Sequence, residues 1–249
     1  MMIRRLVIVA AGSAVLSMGC FSVLHALGPV SMIDFVASDN HHGPRTQRDI
    51  PWTGSKRLEV ACNAQVIYTQ APEATIRLEG PQDLISDVTL SDNVIRGPEH
   101  HWYRGFHHHD GITLRITAPA VSDLAITSAA SVRLNNIALP ELKLSVDGAA
   151  SIIGNGKADR VILSSDGASS VNLSDMAMKD ADISISGAGS VKAGPTDHAR
   201  ISIDGVGSVK LTRSPLTLDK HISGVGSVSV PSKPADTDRN DTDEDGVSL

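Results

Sequence analysis

Three short segments near the end of the chain repeat one small-residue pattern: "SGAGSVKAG" (186–194), "DGVGSVKLT" (204–212) and "SGVGSVSVP" (223–231). The pattern extends back along the chain when it is aligned on its serine, and the aligned residues are Ser131, Ser151, Ser170, Ser190, Ser208 and Ser227. Successive serines are 20, 19, 20, 18 and 19 residues apart. A fixed period of about twenty residues is typical of a solenoid, in which each unit buries its apolar face against its neighbours.

Each repeat has the alternating polar and apolar pattern of β-strands. Runs such as "DLAIT", "ELKLSV", "RVILSS", "ADISIS" and "ARISI" precede the small-residue segment, and "SVRL" or "SVKL" follows it. We therefore interpret each unit as a strand, a tight corner, a second strand and a loop containing Asp, Pro or Asn. Stacked at about 4.8 Å, six such coils span roughly 29 Å. The sequence predicts an all-β solenoid of ~19-residue coils over about 120–230, which an N-terminal β segment caps or extends.

The corner residues are expected to have structural roles. Glycine tolerates positive φ, so we predict this conformation in the corner column, which consists of Gly148, Gly167, Gly187, Gly205 and Gly224. The aligned serines are expected to hydrogen-bond along their column or to the turn backbone, and Asp147, Asp166 and Asp204 to cap the turns. No repeat places a histidine beside its serine, which argues against a column of nucleophiles.

The N-terminal segment has the features of an export signal. Arg4 and Arg5 precede an apolar run from Leu6 to Leu27, which fits a cleaved signal peptide or a retained anchor. "LSMGC" (16–20) resembles a bacterial lipoprotein box, which would make Cys20 a lipid attachment site. We predict a leader or anchor over 1–27, a linker over 28–50, the β domain over 51–230 and an acidic disordered tail over 231–249. All three alternatives, a cleaved signal peptide, a retained anchor and a lipoprotein, place the mature chain outside the cytoplasm, in the periplasm or cell envelope. A retained anchor or a lipid would associate the chain with a membrane through this segment.

The segment "HHWYRGFHHHD" (100–110) contains the residues best suited to bind a metal or a partner. Clustered imidazoles can bind Zn²⁺, Cu²⁺ or Ni²⁺, and the candidate ligands are His100, His101, His107, His109 and Asp110. The alternative interpretation is an exposed hairpin tip. A tip of this kind could also be a contact surface, with Trp102, Tyr103 and Arg104 as its anchors.

Charge and composition narrow the other classes of function. The formal net charge of −6 and the 3% of aromatic residues argue against nucleic acid as a partner. The two cysteines indicate no disulfide framework.

The acidic segment "DTDEDG" (241–246) resembles the start of a calcium loop but lacks its twelfth-position ligand, which favours a solvated tail. We expect one face of the solenoid to carry mixed charges, contributed on the basic side by Lys143, Lys157, Arg160, Lys192, Lys210 and Lys220.

Several segments together carry a family resemblance. "GITLRITAPAVSDLAITSAASVRL" (111–134), "SVDGAAS" (145–151), "SISGAGSVKA" (184–193) and "SIDGVGSVKL" (202–211) resemble the auto-transporter adhesin head domain known as the GIN domain (DUF2807). The resemblance extends from about Leu58 to Val230 and departs from the family at the first corner, "SAAS". It implies a right-handed β-helix-like fold on the bacterial cell envelope. The family has no established catalytic residues, so none is assigned here.

The expected function is that of a non-catalytic binding or adhesion module of the cell envelope, with an envelope protein or a surface glycan as its partner. Two alternatives remain at this level. The first is an envelope metal-binding protein that uses the histidine segment. The second is a carbohydrate-active β-helix enzyme, which would need converging carboxylates in a groove.

Overall fold

The computed structural model describes residues 44–97 and 111–231, and these residues form an almost entirely β structure. A single short helix, α1 (Gln82–Ser86), accompanies sixteen strands in the described residues. The strands are β1 (Arg45–Ile50), β2 (Arg57–Ala61), β3 (Ala64–Gln70), β4 (Thr75–Pro81), β5 (Thr89–Ser91), β6 (Val94–Arg96), β7 (Ile112–Ala118), β8 (Asp123–Ile126), β9 (Ala129–Val146), β10 (Ala149–Ser165), β11 (Ala168–Ile185), β12 (Ala188–Ala193), β13 (Pro195–Ile203), β14 (Val206–Leu211), β15 (Thr217–Ile222) and β16 (Val225–Ser229).

The repeats stack as parallel coils in a β-solenoid of about five turns, which confirms the predicted all-β solenoid fold. Ser131 pairs in register with Ser151, and Ser151 with Ser170. The same register continues from Ser170 through Ser190 and Ser208 to Ser227. The predicted alignment of the six serines is therefore the alignment of the coils themselves.

The sixteen described strands form one continuous sheet that bends around a single core, and its two walls are here called the first and second sheets. The first sheet contains the strand segments that follow the glycine corner, and the second contains the segments that lead into the next corner. Inward residues alternate with outward ones, as in β10, where Ile152, Val161 and Leu163 are buried. Because the coils are in register, these apolar residues form continuous columns within a single hydrophobic core.

The polar residue Ser165 interrupts one of these apolar columns. It is fully buried and lies between Val146 and Ile185 of the adjacent coils. Its hydroxyl is satisfied by a 2.7 Å hydrogen bond to the hydroxyl of Ser169 across the corner.

The second corner of each coil differs from the predicted loop. In β9, β10 and β11 the strand bends and continues, with a register shift between Gly154 and Gly156 where β10 meets β9. Gly156 has a φ of +119°, and a Cβ atom there would lie closer than 3.0 Å to backbone atoms of Ile137. The side chain of Asn155 accepts a hydrogen bond from the N–H of Asn136 at 2.9 Å. Such a bulge turns the strand without ending its pairing, which is why the expected loop is absent from these three coils.

The N-terminal segment both extends and caps the stack. Strands β2 and β3 form a coil that pairs in parallel with β8 and β9. Beyond that coil, β7 pairs in parallel with β3, and β4 and β1 then continue the first sheet in antiparallel pairing. In the second sheet, β6 pairs in parallel with β2, and β5 pairs antiparallel with β6 at the edge. The predicted linker over 28–50 is too long, because Arg45–Ile50 pairs along its whole length with β4.

Candidate binding face

The glycine corner brings neighbouring coils into close backbone contact. At Gly167 a Cβ atom would lie closer than 3.0 Å to the carbonyl oxygen of Gly148, and the same holds at Gly187 for the carbonyl oxygen of Gly167. Gly54 and Gly156 are the described glycines that have positive φ, so the predicted positive φ in the corner column is wrong. The corners need glycine because they lack room for a side chain.

Hydrogen bonds between coils hold each corner. The N–H groups of Asp166 and Gly167 both donate to the carbonyl oxygen of Val146, and the N–H of Ala168 donates to the carbonyl oxygen of Gly148. The Asp204 carboxylate accepts hydrogen bonds from the hydroxyls of Ser202 and Ser223. The Asp204 carboxylate therefore connects its corner to the following coil through the hydroxyl of Ser223.

The outward surface of the first sheet, here called the serine face, carries small and hydroxyl side chains. It comprises the outward residues of 129–134, 149–154, 168–173, 188–193, 206–211 and 225–229. Alanine or valine forms its first column, and the aligned serines form its second. Ser151, Ser170 and Ser190 are exposed, and Ser208 Oγ lies 3.4 Å from Ser190 Oγ. The aligned serines thus lie on an accessible sheet surface next to the corner.

A third column on the serine face carries positive charge. Its residues in chain order are Arg133, Ile153, Asn172, Lys192, Lys210 and Ser229, which pair in register from coil to coil. No carboxylate occurs in the six segments that form this face. Within residues 44–97 and 111–231, neither Arg133, Lys192 nor Lys210 takes part in an ion pair.

A shallow depression lies in the middle of the serine face. It has a volume of about 200 Å³, is open to solvent and spans three coils. Its polar lining residues are Ser151, Ser170, Asn172, Ser190 and Lys192. The surface here is therefore shallow and open over three coils, which suits an extended ligand better than a compact one.

The outward surface of the second sheet, here called the ion-pair face, has the opposite character. It comprises the outward residues of 123–126, 141–146, 160–165, 180–185, 198–203 and 217–222. One register column alternates in charge and consists of Arg57, Asp123, Lys143, Ile162, Asp182, Arg200 and Asp219. Arg57 lies 3.3 Å from Asp123, and Asp182 lies 3.2 Å from Arg160. Exposed pairs of this kind each contribute about 0 to 1 kcal/mol, so their clearest effect is to neutralise this face.

The expected single face of mixed charges is therefore wrong. The structure assigns Lys143 and Arg160 to the ion-pair face and Lys192 and Lys210 to the serine face. Lys220 lies in an inward column of the last coil. This segregation could have been found in the sequence, because Lys192 and Lys210 follow the aligned serine by two residues, whereas Arg160 and Arg200 precede the next corner.

Burial raises the pKa values of two groups near the N-terminal coil, the Cys62 thiol and the Tyr68 hydroxyl. Cys62 is a free buried thiol, and burial raises its pKa to about 12. Burial also raises the pKa of Tyr68, whose hydroxyl donates to the carbonyl oxygen of Ala118 and accepts from the N–H of Val121. A thiol with so high a pKa is protonated at neutral pH and is a poor nucleophile.

The metal-ligand and partner-contact predictions over 100–110 and the lipid attachment prediction at Cys20 fall outside the described residues. In the two described ranges, no cluster of three or more His, Cys, Asp or Glu side chains is arranged to hold a metal ion. Those ranges also contain no helix that is long and apolar enough to cross a membrane.

The described residues form a β-solenoid with one face neutralised by ion pairs and one face of hydroxyls and cations that make no ion pair within residues 44–97 and 111–231. Residues 56–215 match the family model "Putative auto-transporter adhesin, head GIN domain", and the chain belongs to this family. The resemblance inferred from the corner motifs is confirmed.

One solved structure agrees with this assignment at the level of the fold: a crystal structure described as a "putative adhesin" from Bacteroides fragilis is 17% identical, with a TM-score of 0.58 over 76% of this chain and 97% of that one. The chain is also similar to a putative adhesin from Parabacteroides distasonis, which is 18% identical, with a TM-score of 0.49 over 76% and 98% of the two chains. Comparison with curated proteins gives no match.

Proposed function

We propose that the chain is an exported, non-catalytic binding module of the cell envelope and that the serine face is its contact surface. The observation that carries this proposal is the uninterrupted serine face, which runs over six coils without a carboxylate. The solenoid holds these side chains at fixed intervals, so a bound ligand would not have to order them. Membership in an adhesin family and the leader-like N-terminal segment support a role at the cell surface.

A flat, regularly spaced surface suits an extended partner. Equivalent hydroxyls recur at about 4.8 Å along the axis of the stack, which is the spacing of paired strands. A compact substrate would instead favour an enclosed pocket with a few converging polar groups. The depression on the serine face is open and is lined mainly by hydroxyls, an amide and one lysine.

The proposal is tested by blocking each face in turn with a bulky side chain. Ser170 and Ser184 both lie on β11, on the serine face and the ion-pair face respectively. Beads that carry the full chain are passed over surfaces coated with bacterial envelope polysaccharide, and the retained fraction is measured. We expect Ser170→Tyr to reduce the retained fraction at least about tenfold, because a bulky ring there would block contact with the serine face. Ser184→Tyr is the matched control and should retain beads like the wild type.

Two results would contradict the proposal. Equal losses in both variants would show that retention does not depend on the serine face. Wild-type beads retained no better than beads carrying an unrelated protein would show that the module does not bind such surfaces.

A further inference from the structure

We infer that the serine face binds a linear, carboxylate-bearing polysaccharide along the column of Arg133, Lys192 and Lys210. This inference rests on the proposed function and names its class of ligand. It begins from the distribution of charge: the whole chain has a formal net charge of −6, yet its serine face carries three cations and no carboxylate.

The three cations lie on one line parallel to the axis of the stack. Lys192 and Lys210 are paired in register on adjacent strands, and Arg133 is three coils away in the same column. At about 4.8 Å per coil, the column from Arg133 to Lys210 is roughly 19 Å long. A linear polymer lying along this column would reach all three side chains without bending.

The pairing of Lys192 with Lys210 is unfavourable in the free protein. Like charges directly opposite each other on neighbouring strands are destabilising. Within the described residues no acidic side chain compensates them, whereas on the ion-pair face Arg200 lies near both Asp182 and Asp219. A carboxylate bound between the two lysines would remove this repulsion and form charge-assisted hydrogen bonds.

Carboxylates of the protein flank the serine face at its edges. The corner residue Asp204 precedes β14, and its carboxylate accepts hydrogen bonds from the hydroxyls of Ser202 and Ser223. Asp175, at the second corner, is closer to the column and lies three residues beyond Asn172. Because these carboxylates repel anions at the edges, the region that favours a bound anion is the middle of the serine face.

The neighbouring serines favour a sugar polymer over other polyanions. Hydroxyls both donate and accept hydrogen bonds, and the exposed column beside the cations can therefore pair with sugar hydroxyls. Recognition of single-stranded nucleic acid relies on aromatic side chains that stack on bases, and the six segments of the serine face contain none. Carboxylates would then contact Lys192 and Lys210, while sugar hydroxyls contact Ser190 and Ser208.

The test titrates the full chain with polygalacturonate, with neutral dextran and with polyphosphate of equal charge concentration. We expect polygalacturonate to bind about tenfold more tightly than dextran and to weaken as salt is raised. The double variant Lys192→Gln/Lys210→Gln should lose roughly tenfold in affinity, since it removes two exposed charge contacts. The control Lys143→Gln/Arg160→Gln removes the same charge from the ion-pair face and should bind polygalacturonate within about twofold of the wild type.

Three outcomes would overturn the inference. Equal losses in the two double variants would indicate a response to net charge alone. If dextran bound with the same affinity as polygalacturonate, carboxylates would have no role in binding. If polyphosphate bound more tightly than polygalacturonate, the ligand would be a phosphate polymer.

The bead assay separates failure of this inference from failure of the proposed function. If polygalacturonate does not bind but retention still depends on Ser170, the ligand class is wrong and the binding face stands. If retention is also indifferent to Ser170→Tyr, both proposals fail.

Discussion

At the scale of single residues, glycine is required at the corner of each coil after the first, because the backbone of the preceding coil lies too close there for a Cβ atom. The corner column forms a ladder in which each glycine lies against the carbonyl group of the coil before it. The column begins with Ser128, which pairs with Gly148 and belongs to the "SAAS" segment where the repeat departs from glycine. In the coil before Ser128, the side chain of Asn63 accepts a 3.2 Å hydrogen bond from the N–H of Ala129.

Replacing a corner glycine should therefore cost far more than the usual glycine-to-alanine change. For Gly167→Ala we expect the free energy of unfolding to fall by about 3 kcal/mol or more, because a Cβ atom forces adjacent coils apart. Gly111→Ala is the matched control, since a Cβ atom there meets nothing within 4 Å, and its effect should stay within about 0.5 kcal/mol. Urea unfolding of both variants measures the difference. Similar values for the two variants would contradict the role of close packing at the corner.

At the scale of elements, the last coil shows how the stack ends. The inward column that contains Leu144, Leu163, Ile183 and Ile201 continues to Lys220 on β15. A charged residue at an inward position of an edge strand opposes the addition of another strand. The residue that ends the apolar column thus also hinders association of two chains through their exposed ends.

Removing this charge should promote association of the chain with itself. Lys220→Val would join the inward positions of Leu218 and Ile222 into one apolar edge on β15. We expect its weight-average mass, measured by light scattering at increasing concentration, to rise above that of the wild type. Lys210→Val removes the same charge from the serine face and serves as the control. Identical masses for the wild type and Lys220→Val would show that Lys220 does not protect the edge.

At the scale of the whole molecule, the solenoid behaves as a chain of coils that contact mainly their neighbours. Such repeat structures have stabilities that depend on the number of interfaces each unit makes. Strand β10 is covered on both sides by β9 and β11, whereas β15 and β16 are each paired on one side. At the other end, β6 and β7 pair in parallel with the strands of the first coil, β5 and β4 pair with them in turn, and α1 packs against β4 and β1. The two ends of the stack should therefore differ in local stability.

Amide hydrogen exchange can measure this gradient. We expect the amides of β15 and β16 to exchange at least roughly tenfold faster than those of β10, because the last coil can open without disturbing the others. The strands β2 and β3 should lie closer to β10 in their rates. Uniform exchange along the stack would instead indicate that all coils open as one cooperative unit.

The repeat in the sequence was sufficient to predict the fold, the coil length and the alignment of Ser131 with Ser151 and the later serines. It was sufficient because stacked coils impose the same local constraint at each level, so the constraint recurs in the sequence. Three features were decided only by the tertiary structure: the bend at Asn155, the strand at Arg45–Ile50, and the ion pair between Arg160 and Asp182. Each depends on which backbone or charge lies across from a residue in another coil or strand. That information belongs to strand register in three dimensions, which local alternation of residue types does not specify.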